Sequence, residues 1–250
     1  MFEKRWSLRE TNLRIKCDRE EAIDAAVKSV LEARREIEVM ILKNQEFRWS
    51  LEPIDIDGKQ PQVIRAMLEA GKIAGVGPFA AVAGAISQVA VEAALQAGAV
   101  NVMVENGGDI AIAGDRDFRV GVFAGGAEGS GKIGFLVRAG ELPLGICTSS
   151  GTVGHSMSFG EADAVAVVAR DAAVADAAAT SIANEVKGGD LAGSVAAGLE
   201  RAKKISEING CLIIREKYFG AYGKIPELFG IPPSSKIVSE TLEQYKKYSV

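Results

Sequence analysis

The hydrophobic period of this chain changes once, at Gly98, and that change restricts what it can fold into. Between residues 78 and 97 the side chains Phe79, Val82, Ile86, Val89 and Ala93 recur at three- and four-residue spacing, the repeat of one helix face. Gln88, Glu92 and Gln96 form an i, i+4 polar stripe on another face. Beyond Gly98 the pattern becomes a series of short β-rich runs, at 100–104, 110–113, 118–123, 133–137 and 144–148, separated by glycine-rich turns. Helices followed by successive short strands indicate an α+β fold with a largely antiparallel central sheet flanked by helices.

Further elements fill in around this switch. Residues 8–16 read as a first strand. Asp18 reads as the N-cap of a long helix running toward Lys43, with Glu20 and Glu21 in its first turn. A strand-like patch covers 47–51. Pro61 opens a second helix that runs to about Lys72 and is ended by Gly75 and Gly77. AVAVVA at 164–169 reads as a buried strand, and Asp171 as the cap of an Ala-rich helix reaching about Val186. Gly188 and Asp190 punctuate before another helix to about Lys204, 210–214 is a strand, and SETLEQYKKY reads as a charged C-terminal helix. No linker is long enough to force two domains, so 1–250 is expected to form one, and 250 residues with 48% hydrophobic content can bury a sizeable core.

Composition removes several classes of function. The net charge is −4 and no strongly basic stretch occurs, which argues against nucleic acid as a partner. Cys17, Cys147 and Cys211 are widely spaced and His155 is the only histidine, a poor basis for a zinc site or a disulfide framework. The N-terminus is charged and has no apolar core of a signal peptide. The longest apolar stretch, 77–91, is interrupted by Ser87 and Gln88 and is too short to span a membrane. A cytoplasmic protein without a membrane partner is expected, and its Ala-rich helices suit a homodimer without demanding one.

Four stretches could carry chemistry. In VENGGDIAIAG, Asn106-Gly107-Gly108-Asp109 lies between two β-runs. Asn-Gly is a hairpin signal, while two glycines can also expose N–H groups to a phosphate or a ring, with Asp109 accepting from a ribose hydroxyl or an amine. In VKGGDLAG at 186–193, by contrast, helix stop and start signals explain the glycines. In RDAAVADAAATSIANEV, Asp176, Thr180 and Asn184 stand at i, i+4 and i+8 on one helix face. That is either a narrow wet stripe on an amphipathic helix or an oxygen set for Mg²⁺, which takes few protein ligands and completes its shell with water or phosphate. In ICTSSGTVGHSMSFG, Cys147 or a serine could pair with His155 as nucleophile and base. Cys147, however, ends an apolar run, and no G-x-S-x-G elbow is present. The small polar residues Thr148, Ser149, Ser150, Gly151 and Thr152 better suit a cradle for an anion. Last, GKIAGVGPFAAVAG clusters glycines before a helix N-terminus, where anions bind, without a Walker A or G-x-G-x-x-G spacing.

In this order the four stretches resemble the ApbE-like superfamily, whose best-known members are FAD:protein FMN transferases. Those proteins carry a small-residue helix entry, then N-x-GG-[DE], a T-S-G segment and A-D-A-[LA]-x-T. The corresponding pieces here are GPFAAVAGAISQVAVEAALQAGAVNVMVENGGDI, CTSSGT and DAVAVVARDAAVADAAATS, which together cover roughly residues 73–184. The compact CTSSGTVGHSMSFGEADAV form looks closer still to a family of cytoplasmic ApbE relatives in archaea and bacteria. The resemblance implies an ApbE-like fold with a cleft for a nucleotide-like ligand, FAD among the candidates. It assigns Asp176 and Thr180 to Mg²⁺, Asn106, Gly107, Gly108 and Asp109 to one cleft wall, and Thr148 to Thr152 to another. His155 becomes the candidate acid or base. Three departures accompany it: Ala83-Gly84 replaces the usual Lys-Gly, Phe159-Gly160 stands in place of the Asp-Pro of H-x-x-D-P, and no lipobox cysteine is present. The missing lysine suits a non-catalytic binding relative, whereas the intact Asp176/Thr180 pair suits retained phosphoryl or FMN transfer.

Overall fold

The computed structural model describes residues 1–122, 133–150, 159–230 and 236–238. The chain opens with a hairpin of β1 (Phe2–Leu8) and β2 (Thr11–Cys17), followed by α1 (Glu20–Lys43), α2 (Glu46–Trp49) and α3 (Gln62–Ala74). A 3-10 turn, Pro78–Ala81, leads directly into α4 (Val82–Gln96). Then come β3 (Val102–Asn106), β4 (Asp109–Ala113), β5 (Phe118–Gly121), β6 (Gly134–Val137), β7 (Leu144–Ser149) and β8 (Ala164–Ala169). The remainder is α5 (Ala172–Ala183), α6 (Leu191–Ala202), β9 (Ile208–Arg215), β10 (Tyr218–Gly223), β11 (Glu227–Phe229) and β12 (Lys236–Ile237).

Nine strands form one sheet in the order β1-β2-β3-β4-β7-β8-β9-β10-β12. Every pairing in it is antiparallel except that of β12 with β10. A second antiparallel sheet, β11-β6-β5, lies over one face. Alternation along each strand feeds two separate cores. Val165, Val167 and Ala169 of β8 meet the helices, whereas Ala164, Ala166 and Val168 meet Phe118, Val120, Phe135 and Leu228 of the second sheet. Because β8 is covered on both faces, its sequence can be apolar throughout without a polar alternate. All three cysteines lie on the helix-facing side, buried and reduced.

The α+β architecture and antiparallel sheet are as the sequence indicates, but several local assignments change. Residues 8–16 are not one strand: they straddle the β1–β2 turn, where Arg9 has φ 52°. That turn contains no glycine, asparagine or proline to announce it. Residues 47–51 are not a strand either, since α2 is a single helical turn that buries Phe47 edge-on to Phe79, with ring centroids 6.2 Å apart. Asp18 does not cap α1. Its carboxylate instead accepts from the N–H groups of Val100 and Asn101 at 3.2 and 2.8 Å, fixing the entry to β3. Asp190 does cap α6, accepting from the Gly193 N–H at 3.0 Å. The expected C-terminal helix lies outside the described residues. Among those described, one segment, Pro78–Gln96, is long and apolar enough by length and composition to cross a membrane, more than the 77–91 stretch suggests. Here it packs against α1, α5, β3 and β4.

α4 and α5 bind each other's starts. Asp171 precedes α5 without making a side-chain cap. The Gln88 Oε1 of α4 takes that place, accepting from the Ala173 N–H at 3.3 Å. In return Asp176 Oδ2 accepts from the Gly84 N–H in the first turn of α4 at 2.8 Å. Each side chain satisfies a donor that its partner helix cannot satisfy internally. The crossing needs Gly84, because a Cβ there would run into the Ala172 backbone carbonyl and Asp176 Cβ. Gly84→Ala is therefore expected to force the helices apart and cost about 1–3 kcal/mol. Urea unfolding of the two proteins checks this, and equal midpoints would show that the crossing tolerates the methyl group.

Candidate functional site

The β3–β4 hairpin delivers Asp109 to the helix-facing side of the sheet. Asn106 and Asp109 form its closing pair, and Gly107 and Gly108 turn the chain with φ 66° and 109°, values that favour glycine. The hairpin reading of the N-G-G-D stretch is correct, and among the described residues no atom beyond the chain neighbours lies within 4 Å of where a Cβ would stand on either glycine. Asn106 is buried. Its Oδ1 accepts from the Asn12 N–H at 3.2 Å and its Nδ2 donates to the Ala83 carbonyl at 3.5 Å, so it ties the turn to the start of α4.

Asp109 is held from three sides. The Thr148 N–H donates to its Oδ1 at 3.3 Å, the Ser87 hydroxyl donates to its backbone carbonyl at 2.8 Å, and the Cys147 side chain lies against its carboxyl. The residue keeps part of its surface, but its carboxyl end points into the protein. Burial therefore pushes its pKa up to about 7, against the hydrogen bond from the Thr148 N–H and the influence of the neighbouring Cys147 side chain. Asp176 lies close enough for the two charges to oppose each other. Burial first, and then Asp109, raise its carboxyl well above the usual range, although the N–H groups of Gly84 and Ala83 act the other way. Among the described residues no lysine or arginine offsets either carboxylate.

Thr180 is buried one turn beyond Asp176 on α5. The third member of the stripe, Asn184, ends the helix and accepts from the Phe159 N–H at 2.9 Å, so it is engaged in anchoring the chain. On β7 the Cys147 thiol donates to the Ala172 carbonyl at 3.2 Å. Burial, Asp109 and Asp176 together push that thiol well above its ordinary pKa, which disfavours the thiolate a nucleophile needs. Ser149, two residues on and so on the same face of the strand, is 4% exposed, and its Oγ has no hydrogen-bond partner among the described residues. Ser150 follows at the strand end, while Gly151, Thr152 and His155 lie outside the described residues.

The structure thus gathers Asn106, Asp109, Thr148, Asp176 and the start of α4 in one corner. Ser87, Gln88 and Gly84 belong to the same corner; the sequence marks Gly84 only through the glycine-rich helix entry and the Ala83-Gly84 pair, and assigns neither Ser87 nor Gln88 to the site. Gln88 stood in the polar stripe of its helix, but nothing local marks its cross-helix hydrogen bond.

The fold is that of the ApbE flavin transferases: the flavin transferase ApbE from Vibrio cholerae aligns with a TM-score of 0.54 over 88% of this chain and 96% of its own, at 14% identity. The apo flavinyl transferase ApbE of Pseudomonas stutzeri gives 0.53 over 86% and 91%, at 12% identity. Similarity is closer in sequence to the UPF0280 proteins of Methanocaldococcus jannaschii, 42% identical over 91% of this chain and 93% of the relative, and of Methanococcus aeolicus, 40% identical over 98% of each. The family model described as "AbpE bacteria" matches residues 3–206, and the chain belongs to that family, within the ApbE-like superfamily.

Both raised carboxyls hold their protons more tightly in the folded chain than in the unfolded one, where aspartate titrates near 3.8. Their contribution to stability is complete below about that pH and is lost as pH rises through the folded value of about 7 for Asp109. Without divalent cations, Asp109→Asn should therefore gain stability relative to the wild type between pH 5 and pH 8. Paired urea titrations at the two pH values measure this, and a difference that does not change with pH would count against a buried, proton-holding Asp109.

Proposed function

We propose that this protein binds a flavin nucleotide such as FAD together with Mg²⁺, and that the corner formed by Asp109, Asp176 and the start of α4 supports phosphoryl or FMN transfer. One observation carries the reading: among the described residues two inward-facing carboxylates oppose each other with no lysine or arginine to offset them, on the same side of the sheet as the Ser149 hydroxyl, which has no partner among those residues. Such a pair calls for a positive charge from outside.

The donors suit Mg²⁺ shared with a phosphate better than a cation held by protein alone. Among the described residues no three His, Cys, Asp or Glu side chains gather as a metal cage, whereas Mg²⁺ commonly takes one or two carboxylates and leaves the remaining positions to water and substrate phosphates. Asp176 would offer its carboxylate to the ion while Oδ2 remains on the Gly84 N–H, and Thr180 would add a hydroxyl one turn away. When bound, the ion would neutralise charge on the phosphate oxygens. Gly107 and Gly108 leave room for a ring or ribose to approach the hairpin. Thr148, Ser149, Ser150, Gly151 and Thr152 would form the facing wall, and His155 is the candidate acid or base. The partner in this reading is a small nucleotide-like molecule and the setting is cytoplasmic.

A second reading, a binding protein without turnover, is favoured by Ala83. This residue occupies the place of the transferases' lysine, and its backbone is engaged with Asp176 and Asn106. Incubation with FAD and Mg²⁺, followed by analysis for FMN and AMP, separates the two: products support transfer, and tight binding without products supports the binder. Asp176→Ala should abolish the Mg²⁺-dependent part of FAD affinity. If that part survives in a folded variant, the cation lies elsewhere.

A further inference from the structure

The proposed cation corner depends on how Asp176 is held, and its support extends into α4. We infer that Gln88 is a positioning residue for the Asp176 carboxylate; the inference rests on the Mg²⁺ reading of the site. Gln88 and Asp176 are the two halves of the reciprocal cap. Asp176 grips the first turn of α4 through the Gly84 N–H, and Gln88, four residues further along that helix, grips the first turn of α5 through the Ala173 N–H. Asp176 stands three residues after Ala173, so both contacts fall within one turn of α5. The Asp176 hydrogen bond fixes one carboxylate oxygen. The Gln88 hydrogen bond fixes the backbone turn from which that carboxylate projects. Together the two contacts set the direction of the Asp176 carboxylate.

Gln88 is itself oriented. Its Nε2 donates to Glu92 Oε1 at 3.4 Å, and the other oxygen of Glu92 accepts from Gln62 Nε2 on α3. The chain Gln62–Glu92–Gln88–Ala173 therefore runs from α3 through α4 to the helix that carries the proposed cation ligands. It explains a polar stripe on a helix whose other faces are largely apolar. The amide cannot swing freely, because turning it would present an N–H to the Ala173 N–H and a carbonyl to the Glu92 carboxylate. Outer partners of this kind commonly change metal affinity by 10- to 100-fold when lost, because the inner ligand then loses its preferred orientation.

The test measures FAD binding by fluorescence quenching across a Mg²⁺ titration, with the unfolding midpoint recorded for each protein. Gln88→Leu should raise the apparent Kd for Mg²⁺ about tenfold, while FAD affinity at saturating Mg²⁺ returns close to the wild-type value. A merely structural loss would depress FAD affinity at every Mg²⁺ concentration. The paired exchange Gln88→Glu with Glu92→Gln keeps an acceptor for the Ala173 N–H and a donor between the two positions, and should restore the wild-type Mg²⁺ dependence. Should Gln88→Leu fail to fold, Gln88→Asn, which shortens the amide by one methylene, should show the same shift. Unchanged Mg²⁺ dependence in the folded Leu or Asn variant overturns the role of Gln88 and leaves the site reading standing. Wild-type binding that ignores Mg²⁺ overturns the site reading and this inference together.

Discussion

The close crossing of α4 and α5 is the constraint on which the rest of the site depends. Two helix N-termini, each with unsatisfied N–H groups, meet inside the protein. Each is completed by a side chain of the other: Asp176 serves Gly84, and Gln88 serves Ala173. Only a glycine at position 84 lets the backbones come near enough. With that distance fixed, Asp176 falls within electrostatic reach of Asp109, which the β3–β4 hairpin brings from the sheet. Gly145 allows the same closeness on the strand side, where a Cβ would run into the Ala172 backbone. The tight helix layer and the proposed site are consequences of one packing arrangement.

This arrangement sets stability against charge. Two carboxylates held inward with no lysine or arginine of the described residues acting on them favour their protonated forms, which costs stability near neutral pH. A divalent cation or a positively charged ligand group would remove that cost. The Ser149 hydroxyl, without a partner among the described residues, is a second unmet demand on the same side of the sheet, since a buried polar atom without a partner is costly. Folds retain such defects where function uses them, and the coincidence of two of them here is stronger grounds for a binding corner than either alone.

Much of this was legible from local pattern. The helix over 78–97 and the run of short strands after Gly98 showed in the change of period. The N-G-G-D turn showed in its glycines, and Asp176 with Thr180 showed as one face of α5. What stayed hidden was non-local. Asp18 and Asp171 have the chemistry of caps, and sequence placed them at helix starts; yet Asp18 serves the β3 entry, and the α5 cap comes from Gln88, 85 positions earlier in the chain. The Arg9 turn carries no turn residue, and the Phe47 helix is too short for periodicity to register. The second sheet was hidden for another reason. Its strands alternate like any half-buried strand, and nothing local tells which sheet they join.

The cysteines carry one more consequence. Cys147 and Cys211 pair with opposite sides of Val167 on β8, so a whole strand separates them. At about 4.8 Å per strand spacing, their Cα atoms stand roughly 9–10 Å apart, beyond the span a disulfide can bridge. Cys17 lies farther off on β2. No internal cross-link among the three is open to the folded protein, and their elevated thiol pKa values slow attack on outside oxidants. The three cysteines are thereby closed to internal cross-linking, and they serve as small buried filling between sheet and helices.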